Sequence, residues 1–530
     1  MTENKQESVL EDEKVEPDKV PDKPAITEDG TVADKKSLRS TILKVALPIV
    51  LALILAFLVP HPASLDIRAW YYFCIFVAVI ISVALEVLPM GAVGLIGVCI
   101  MAATGVYFQA GWDAEKSGAW TNTNVLTWAL SGFSNSVVWM VFAAMLFAVA
   151  LKKTGIGRRI ALGFIRLLGK TSLGLGYAIT LADFVLGPFM PSNTARSFGT
   201  IYPIARATSE ALDSHPDDES AGKVGSFLLF TAFTATFISS ATFLTAAAMT
   251  ILGTKIISDA TGTPPLSWMS YLIGFIPQAI IIIIITPLIA RKFFPPTITK
   301  FPEAPKWAKE QLTEMGRLTA KEIITLAIFV CALAGWIFLK DYMPTAMTAI
   351  IAVAAMLIFK VITWHDVLHE SPAWNILVVL GTLITLANGL RDVGFLKWVS
   401  TASGNMFSHV GKSLMLVIIA MLALALIDFL LHYLYVSITA HVSTLMPLWM
   451  AVVVAIPGFP AHLFGMLLLR TKEGYGALTP YGAGHGVGYM LSGYFPDHKQ
   501  FWKAESVWAY TYLGIAFISI PYWALVYGWH

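Results

Sequence analysis

The sequence predicts an all-α polytopic membrane protein of about eleven transmembrane helices, built from two inverted repeats. Three observations carry that prediction. Of 530 residues, 56% are hydrophobic and 13% charged, about half the charge of an ordinary soluble protein, and mean hydropathy is +0.69. Apolar runs close to the ~20 residues needed to cross a bilayer recur along the chain. Two longer apolar regions, 245 residues apart, match each other. This composition excludes a disordered chain, a disulfide scaffold and a water-soluble multidomain enzyme. A formal net charge of +2 offers nothing to nucleic acid. Cys74, Cys99 and Cys331 lie in apolar runs without paired spacing, so neither a metal nor another cofactor is expected.

Residues 1–41 hold 11 acidic and 7 basic residues and no aromatic, the composition of a disordered cytoplasmic tail. The first transmembrane helix falls within 42–66. Further apolar runs follow near 67–88, 89–106, 134–151, 225–258, 268–290, 321–340, 344–363, 374–392 and 504–527, and the interrupted run 458–494 reads as a broken tenth span. Residues 107–124, with Trp112 and Trp120, suit the bilayer interface. Residues 152–170 carry six Lys or Arg and no acid, and 291–321 carry seven against three Glu. Both segments are therefore expected in the cytoplasm, which puts the N-terminus inside and the C-terminus outside.

The regions 173–211 and 412–450 are too long for one crossing and short for two, so each reads as a re-entrant hairpin. Asp183-Phe184-x-Leu186 and Ser192-x-Thr194-Ala195 recur without a gap as Asp428-Phe429-x-Leu431 and Ser437-x-Thr439-Ala440. The first hairpin follows a cytoplasmic loop and the second follows a span that ends outside, so the copies are inverted. Repeat 1 then covers 67–291, a cytoplasmic linker 292–320, and repeat 2 321–530. Transporters built this way bind substrate at the midplane between repeats.

At each tip the helix must break, as Pro188 and Pro191 dictate in the first. The returning half-helix begins with unpaired N–H groups and the positive end of its dipole, a natural seat for a carboxylate. Ser192, Asn193, Thr194, Ser437 and Thr439 add short donors there. Arg196 and His441 occupy equivalent places two residues beyond each threonine and are candidates to compensate the charge of an anion. Asp183 and Asp428 are either proton relays or partners within the bundle. Ser239-Ser240-Ala241-Thr242 and Thr479-Pro480 interrupt spans at matching distances after the hairpins, and add Ser240, Thr242 and Thr479 to the candidate substrate-binding residues. Gly169-Lys170-Thr171 and Gly411-Lys412-Ser413 lack the upstream glycine of a phosphate loop. His485 has no spaced partner for a metal, and no hydrolase constellation occurs, so no enzyme is expected.

Pro191-Ser-Asn-Thr-Ala-Arg196 with the later Ser437-x-Thr-Ala-His441 resembles the divalent anion/sodium symporter family. Within it, the chain is most similar to bacterial dicarboxylate and citrate exchangers. The resemblance covers roughly 40–527, with Leu383-Ile-Thr-Leu-Ala-Asn388 and Ser492-Gly-Tyr494 also matching. It implies a homodimer in the lipid bilayer, built on a scaffold domain, with an elevator motion of the hairpins. Sodium-coupled relatives carry Ser-Asn-Thr in both repeats, whereas the second copy here has Ile438. Arg470, Lys472 and Glu473, and the Pro480–Gly486 segment with His485, depart from the exchanger pattern.

The function expected is sodium-independent antiport of small carboxylate anions such as 2-oxoglutarate, malate, succinate or citrate. The alternatives are a sodium-coupled symporter of the same anions and an anion channel with re-entrant loops. The empty carrier is expected to hold bare buried cations at Arg196 and His441, and so to return slowly. Cysteines placed near residue 161 and near residue 305 should react with an impermeant maleimide only from the cytoplasm. Labelling at 305 from outside would dismantle the inverted repeat.

Overall fold

Inside a membrane a helix can break only where protein satisfies the freed backbone groups, and in this chain the breaks decide the architecture. The computed structural model describes residues 35–85, 87–108, 120–407 and 409–529, with side chains from Lys44 onward apart from those of Asn405 and Lys412. The acidic tail, Trp112 and His530 lie outside the described residues. Among those described, the regular elements are helices, and the β contact is an isolated bridge between Thr171 and Lys300. Their ends follow from local chemistry. Thr319 and Glu322 form a capping box that starts Ala320–Phe338. Gly155, at φ 74°, ends Ser136–Thr154 just after Lys152 and Lys153, which complement the helix dipole.

Eight described helices are long and apolar enough to cross a bilayer, and His498–Ile518 with Ile520–Tyr527, bent by 44°, supplies a ninth. Two of the eight, Ser172–Phe189 and Leu414–Leu434, are arms of the hairpins. Lys44–Phe57, Met90–Thr104, Thr345–Ile358 and Ile438–Val454 are shorter apolar helices. Length and hydropathy by themselves license eight or nine. Exposed Ile280, Ile281 and Ile284 on Trp268–Phe293 are surface that costs nothing against lipid.

Both long regions fold as helix–break–helix hairpins. In the first, Ser172–Leu186 gives way at residues 187–192 to a helical run over 193–210, which includes one π-helical turn, Ser197–Ile201. In the second, Leu414–Leu431 breaks at 432–437 and resumes as Ile438–Val454. The base of the first hairpin sits with the basic segments. Phe301 N–H donates to the Lys170 carbonyl (2.9 Å) and Thr297 N–H to the Gly222 carbonyl (3.2 Å). Arg159 binds the carbonyls of Met315 and Gly316 and the Glu322 carboxylate. Segments 152–170 and 291–321 thus share one face.

The base of the second hairpin lies at the other face. Gly411 meets Pro457 and Gly458 there, so closely that a Cβ on Gly411 would stand 1.5 Å from the Pro457 carbonyl oxygen. From that base the chain climbs through Ala461–Tyr475, breaks over 476–485 and reaches Gly493, whose carbonyl accepts from Asp217 N–H on the first face (2.8 Å). A second broken segment, Gly225–Thr242 followed by Ala248–Thr261, leaves the first face in the opposite sense. The hairpins therefore enter from opposite sides and meet tip to tip.

Backbones approach most closely where a side chain is missing. Gly132 donates its N–H to Thr385 Oγ1 (2.9 Å), and a Cβ on it would lie 1.9 Å from the Gly381 carbonyl oxygen. That oxygen belongs to the helix Ser371–Asp392 and cannot rotate away. Gly132→Ala should therefore cost about 1–3 kcal/mol of stability, read as a lower melting temperature in detergent. Gly163→Ala, where nothing lies within 4 Å, should leave it unchanged or slightly higher.

Candidate functional site

The two tips close on one cavity of about 360 Å³. Pro191, Ser192, Asn193 and Thr194 form one wall and Val436, Ser437, Ile438 and Thr439 the facing one. Each serine is the N-cap of its returning helix: Ser192 Oγ accepts from Ala195 N–H (3.2 Å) and Ser437 Oγ from Ala440 N–H (3.4 Å). The carbonyls of the same serines accept from Arg196 and His441 N–H. The N–H groups of Asn193, Thr194, Ile438 and Thr439 come earlier in each first turn, where a helix supplies no partner. Two helix N-termini thus face one cavity, an electrostatic field suited to an anion with charge at both ends.

Arg196 is fully buried and does not line the cavity. Its Nε donates to Asp183 Oδ1 (3.2 Å), and Nη1 to the carbonyls of Met190 (2.5 Å) and Ala246 (3.0 Å). Nη2 reaches the Thr236 carbonyl and hydroxyl (2.9 Å each) and Ser240 Oγ (2.5 Å). The guanidinium therefore ties the break in the first hairpin to the helix Gly225–Thr242 and to the break after it. Thr245 Oγ1 to the Pro188 carbonyl (2.7 Å) and Ala248 N–H to the Pro191 carbonyl (3.2 Å) complete the join. Ser240 Oγ passes the order on by donating to Asn193 Oδ1 (2.5 Å), which aims the Asn193 amide nitrogen at the cavity wall.

In the second hairpin His441 Nε2 lies 2.9 Å from Asp428 Oδ1, and Nδ1 lies 3.0 Å from His432 Nδ1. His432 Nε2 faces the Gly482 carbonyl at 2.9 Å. A carbonyl only accepts, so His432 donates through Nε2 and, when neutral, accepts through Nδ1. His441 must then donate from Nδ1, and the Asp428–His441 contact holds one shared proton. Either way that pair is neutral, as Asp183–Arg196 is. Trp449 Nε1 donates to Asp428 (2.7 Å), and Tyr475 stacks on His441 with ring centroids 4.4 Å apart. The spacing from acid to base is thirteen residues in both hairpins.

The third wall comes from the broken segment 461–490. Glu473 accepts from Asn193 Nδ2 through Oε2 (3.0 Å) and pairs with Lys472 through Oε1. Gly484 and His485 also line the cavity, and Asn375 and Met145 come to it from the neighbouring helices Ser371–Asp392 and Ser136–Thr154. Arg470 is buried with its guanidinium carbon 4.4 Å from the centroid of the Tyr512 ring.

A family model for the sodium:sulfate symporter transmembrane region matches residues 39–529. The chain belongs to this family, the divalent anion/sodium symporters. A citrate/succinate antiporter of Escherichia coli K12 is 35% identical over 477 residues, 89% of this chain and 96% of the relative. An L-tartrate/succinate antiporter of the same strain is 35% identical over 469 residues, 88% and 94% of the two chains. Among solved structures, the YdaH transporter of Alcanivorax borkumensis superposes with a TM-score of 0.55 at 13% identity, over 83% of this chain and 99% of that one. MtrF of Neisseria gonorrhoeae gives 0.51 at 10% identity, over 84% and 97%. These two likenesses concern the fold alone.

Of the residues singled out in this symporter-family sequence, Ser192, Asn193, Thr194, Ser437 and Thr439 line the cavity together. Three others do not. Ser240 stands behind Asn193 and orients it. Thr242 Oγ1 returns to the Ile238 carbonyl of its own helix (2.6 Å). Thr479 is fully buried beside Gly482 with its hydroxyl unpartnered. The expectation of bare cations at Arg196 and His441 also fails, because Asp183 and Asp428 lie within hydrogen-bond distance of them. Glu473 and His485 were visible as departures from the exchanger pattern, but nothing in the repeat pointed them at the cavity. Asn375 carried no sequence signal at all. Removing either partner of the buried Asp183–Arg196 pair, by Asp183→Ala or Arg196→Ala, should cost about 3–5 kcal/mol and abolish monodisperse protein in detergent gel filtration. Asn193→Ala should purify as the parent does.

Proposed function

We propose that this chain is a multi-pass membrane antiporter that exchanges di- or tricarboxylates without sodium, as a homodimer with its N-terminus in the cytoplasm and its C-terminus outside. The observation that carries the reading is the meeting of two serine-capped helix N-termini in one cavity. Each end can take one carboxylate, with Asn193, Thr194 and Thr439 supplying side-chain donors around it. The names of the 35%-identical relatives, which exchange citrate, tartrate and succinate, support the same substrate class and the exchange mode. Citrate, malate, succinate and 2-oxoglutarate are of a size and charge to be tried first.

Sodium independence rests on Arg196. Broken helices in transporters expose carbonyls that a sodium ion can coordinate. Here the carbonyls of Met190, Ala246 and Thr236 already bind a cation that is covalently part of the chain. Ile438, in place of a second asparagine, removes a polar ligand from the other tip. The hairpins and the broken segments between them form the unit that would move, carrying the cavity past the remaining helices in an elevator stroke.

Counterflow in proteoliposomes preloaded with a dicarboxylate panel tests the proposal. Exchange should persist when choline replaces sodium on both sides, and uptake into empty vesicles should be slow. Asn193→Ala and Thr439→Ala should each raise KM about 10–150-fold, the worth of a hydrogen bond to a charged group. Strict sodium dependence would transfer the chain to the symporters of its family, and conductance without counter-substrate would make it a channel.

A further inference from the structure

The tips account for the two charged ends of a substrate but not for the third wall. We propose that Glu473 and His485 read the substrate between its carboxylates, selecting an anion that carries a hydroxyl group there. This rests on the antiport reading above and names the substrate class more closely.

Glu473 is an anomaly in an anion site. It is fully buried, lines the cavity, and spends Oε1 on Lys472 and Oε2 on Asn193. An ionised carboxylate accepts at about four lone-pair positions and donates at none. Any substrate oxygen turned toward it must therefore bring a hydrogen. A second carboxylate would be repelled, whereas a hydroxyl would donate.

His485 supplies the complement. Its ring is 2% exposed and held by aromatic packing alone, with the Phe233 and Phe237 ring centroids each 5.4 Å away. Neither ring nitrogen has a hydrogen-bond partner among the described residues. In every protonation state an imidazole carries at least one N–H, and a buried donor without an acceptor is destabilising. The preceding residue, Gly484, lies against the first tip, where a Cβ would stand 3.3 Å from Thr194 Oγ1. A hydroxyl between the two carboxylate seats can donate to Glu473 and accept from His485 at once. A site built this way disfavours the analogue that lacks the hydroxyl, because its own polar groups are then left unpaired.

The test uses full-length protein in proteoliposomes preloaded with succinate, and compares exchange against external L-malate and succinate, which differ by one hydroxyl, and against citrate and tricarballylate, which differ likewise. The hydroxylated member of each pair should have a KM at least about 10-fold lower. His485→Phe preserves the aromatic packing and Glu473→Gln the shape of the side chain. Both should bring the ratio of the two KM values toward one. Substrate-free His485→Phe should melt no lower than the parent, since it removes unpartnered nitrogens, whereas a purely structural histidine would make it melt lower. Equal KM values within the pairs in the parent would overturn the inference, as would variants that keep the ratio or a destabilised His485→Phe. Succinate exchange without hydroxyl preference would leave the antiport reading standing. Absence of exchange with any of the four anions would remove both.

Discussion

Backbone carbonyls freed by a helix break in a bilayer need a donor that water cannot supply, and around the first tip that donor is Arg196. Its guanidinium offers five N–H groups in a fixed fork. Here they reach the carbonyls at 190, 236 and 246, the Asp183 carboxylate and two hydroxyls. No other side chain could span that set, since lysine offers one compact ammonium. The clamp joins the hairpin break to the break in the neighbouring span, and both contribute to the cavity. Asn193 inherits its orientation from the same residue through Ser240.

The second hairpin solves the same problem with weaker means. His441 and His432 share the work of one arginine, and the chain from Asp428 to the Gly482 carbonyl ties that hairpin to its own broken span. The aromatic rings of Tyr435 and Tyr475 enclose it. Both units are neutral overall, so what the tips present to the cavity is helix ends and oriented donors rather than bare cations. That arrangement avoids the desolvation cost of unpaired charge.

The broken segment 461–490 breaks the pseudo-symmetry. It carries Arg470, Lys472 and Glu473 in buried positions, where its counterpart Gly225–Thr261 presents hydroxyls and alanines. Charge at that depth persists when it is paired or useful. Lys472 and Glu473 are paired, Arg470 is held over the Tyr512 ring, and Glu473 reaches the cavity through Asn193. The two hairpins thus share a framework that this third wall does not repeat.

Much of the architecture was legible in the letters because membrane physics leaves few options: apolar runs must be helices, basic loops mark one face, and Asp-Phe-x-Leu with Ser-x-Thr-Ala recurring at 245 residues reads as one motif used twice. The tip residues followed, since a broken helix presents its first turn. What the letters left open was which polar groups satisfy one another. Arg196 and His441 looked like cations awaiting an anion, and only the fold brought Asp183 and Asp428 within reach of them. Ser240, Thr242 and Thr479 looked like ligands, yet they face inward, because the helix breaks just beyond Thr242 and the turn after Tyr475 buries Thr479. Glu473 became part of the site through a contact with a residue 280 positions earlier. Hydrogen bonds across such separations depend on packing, which periodicity and spacing along one chain do not encode.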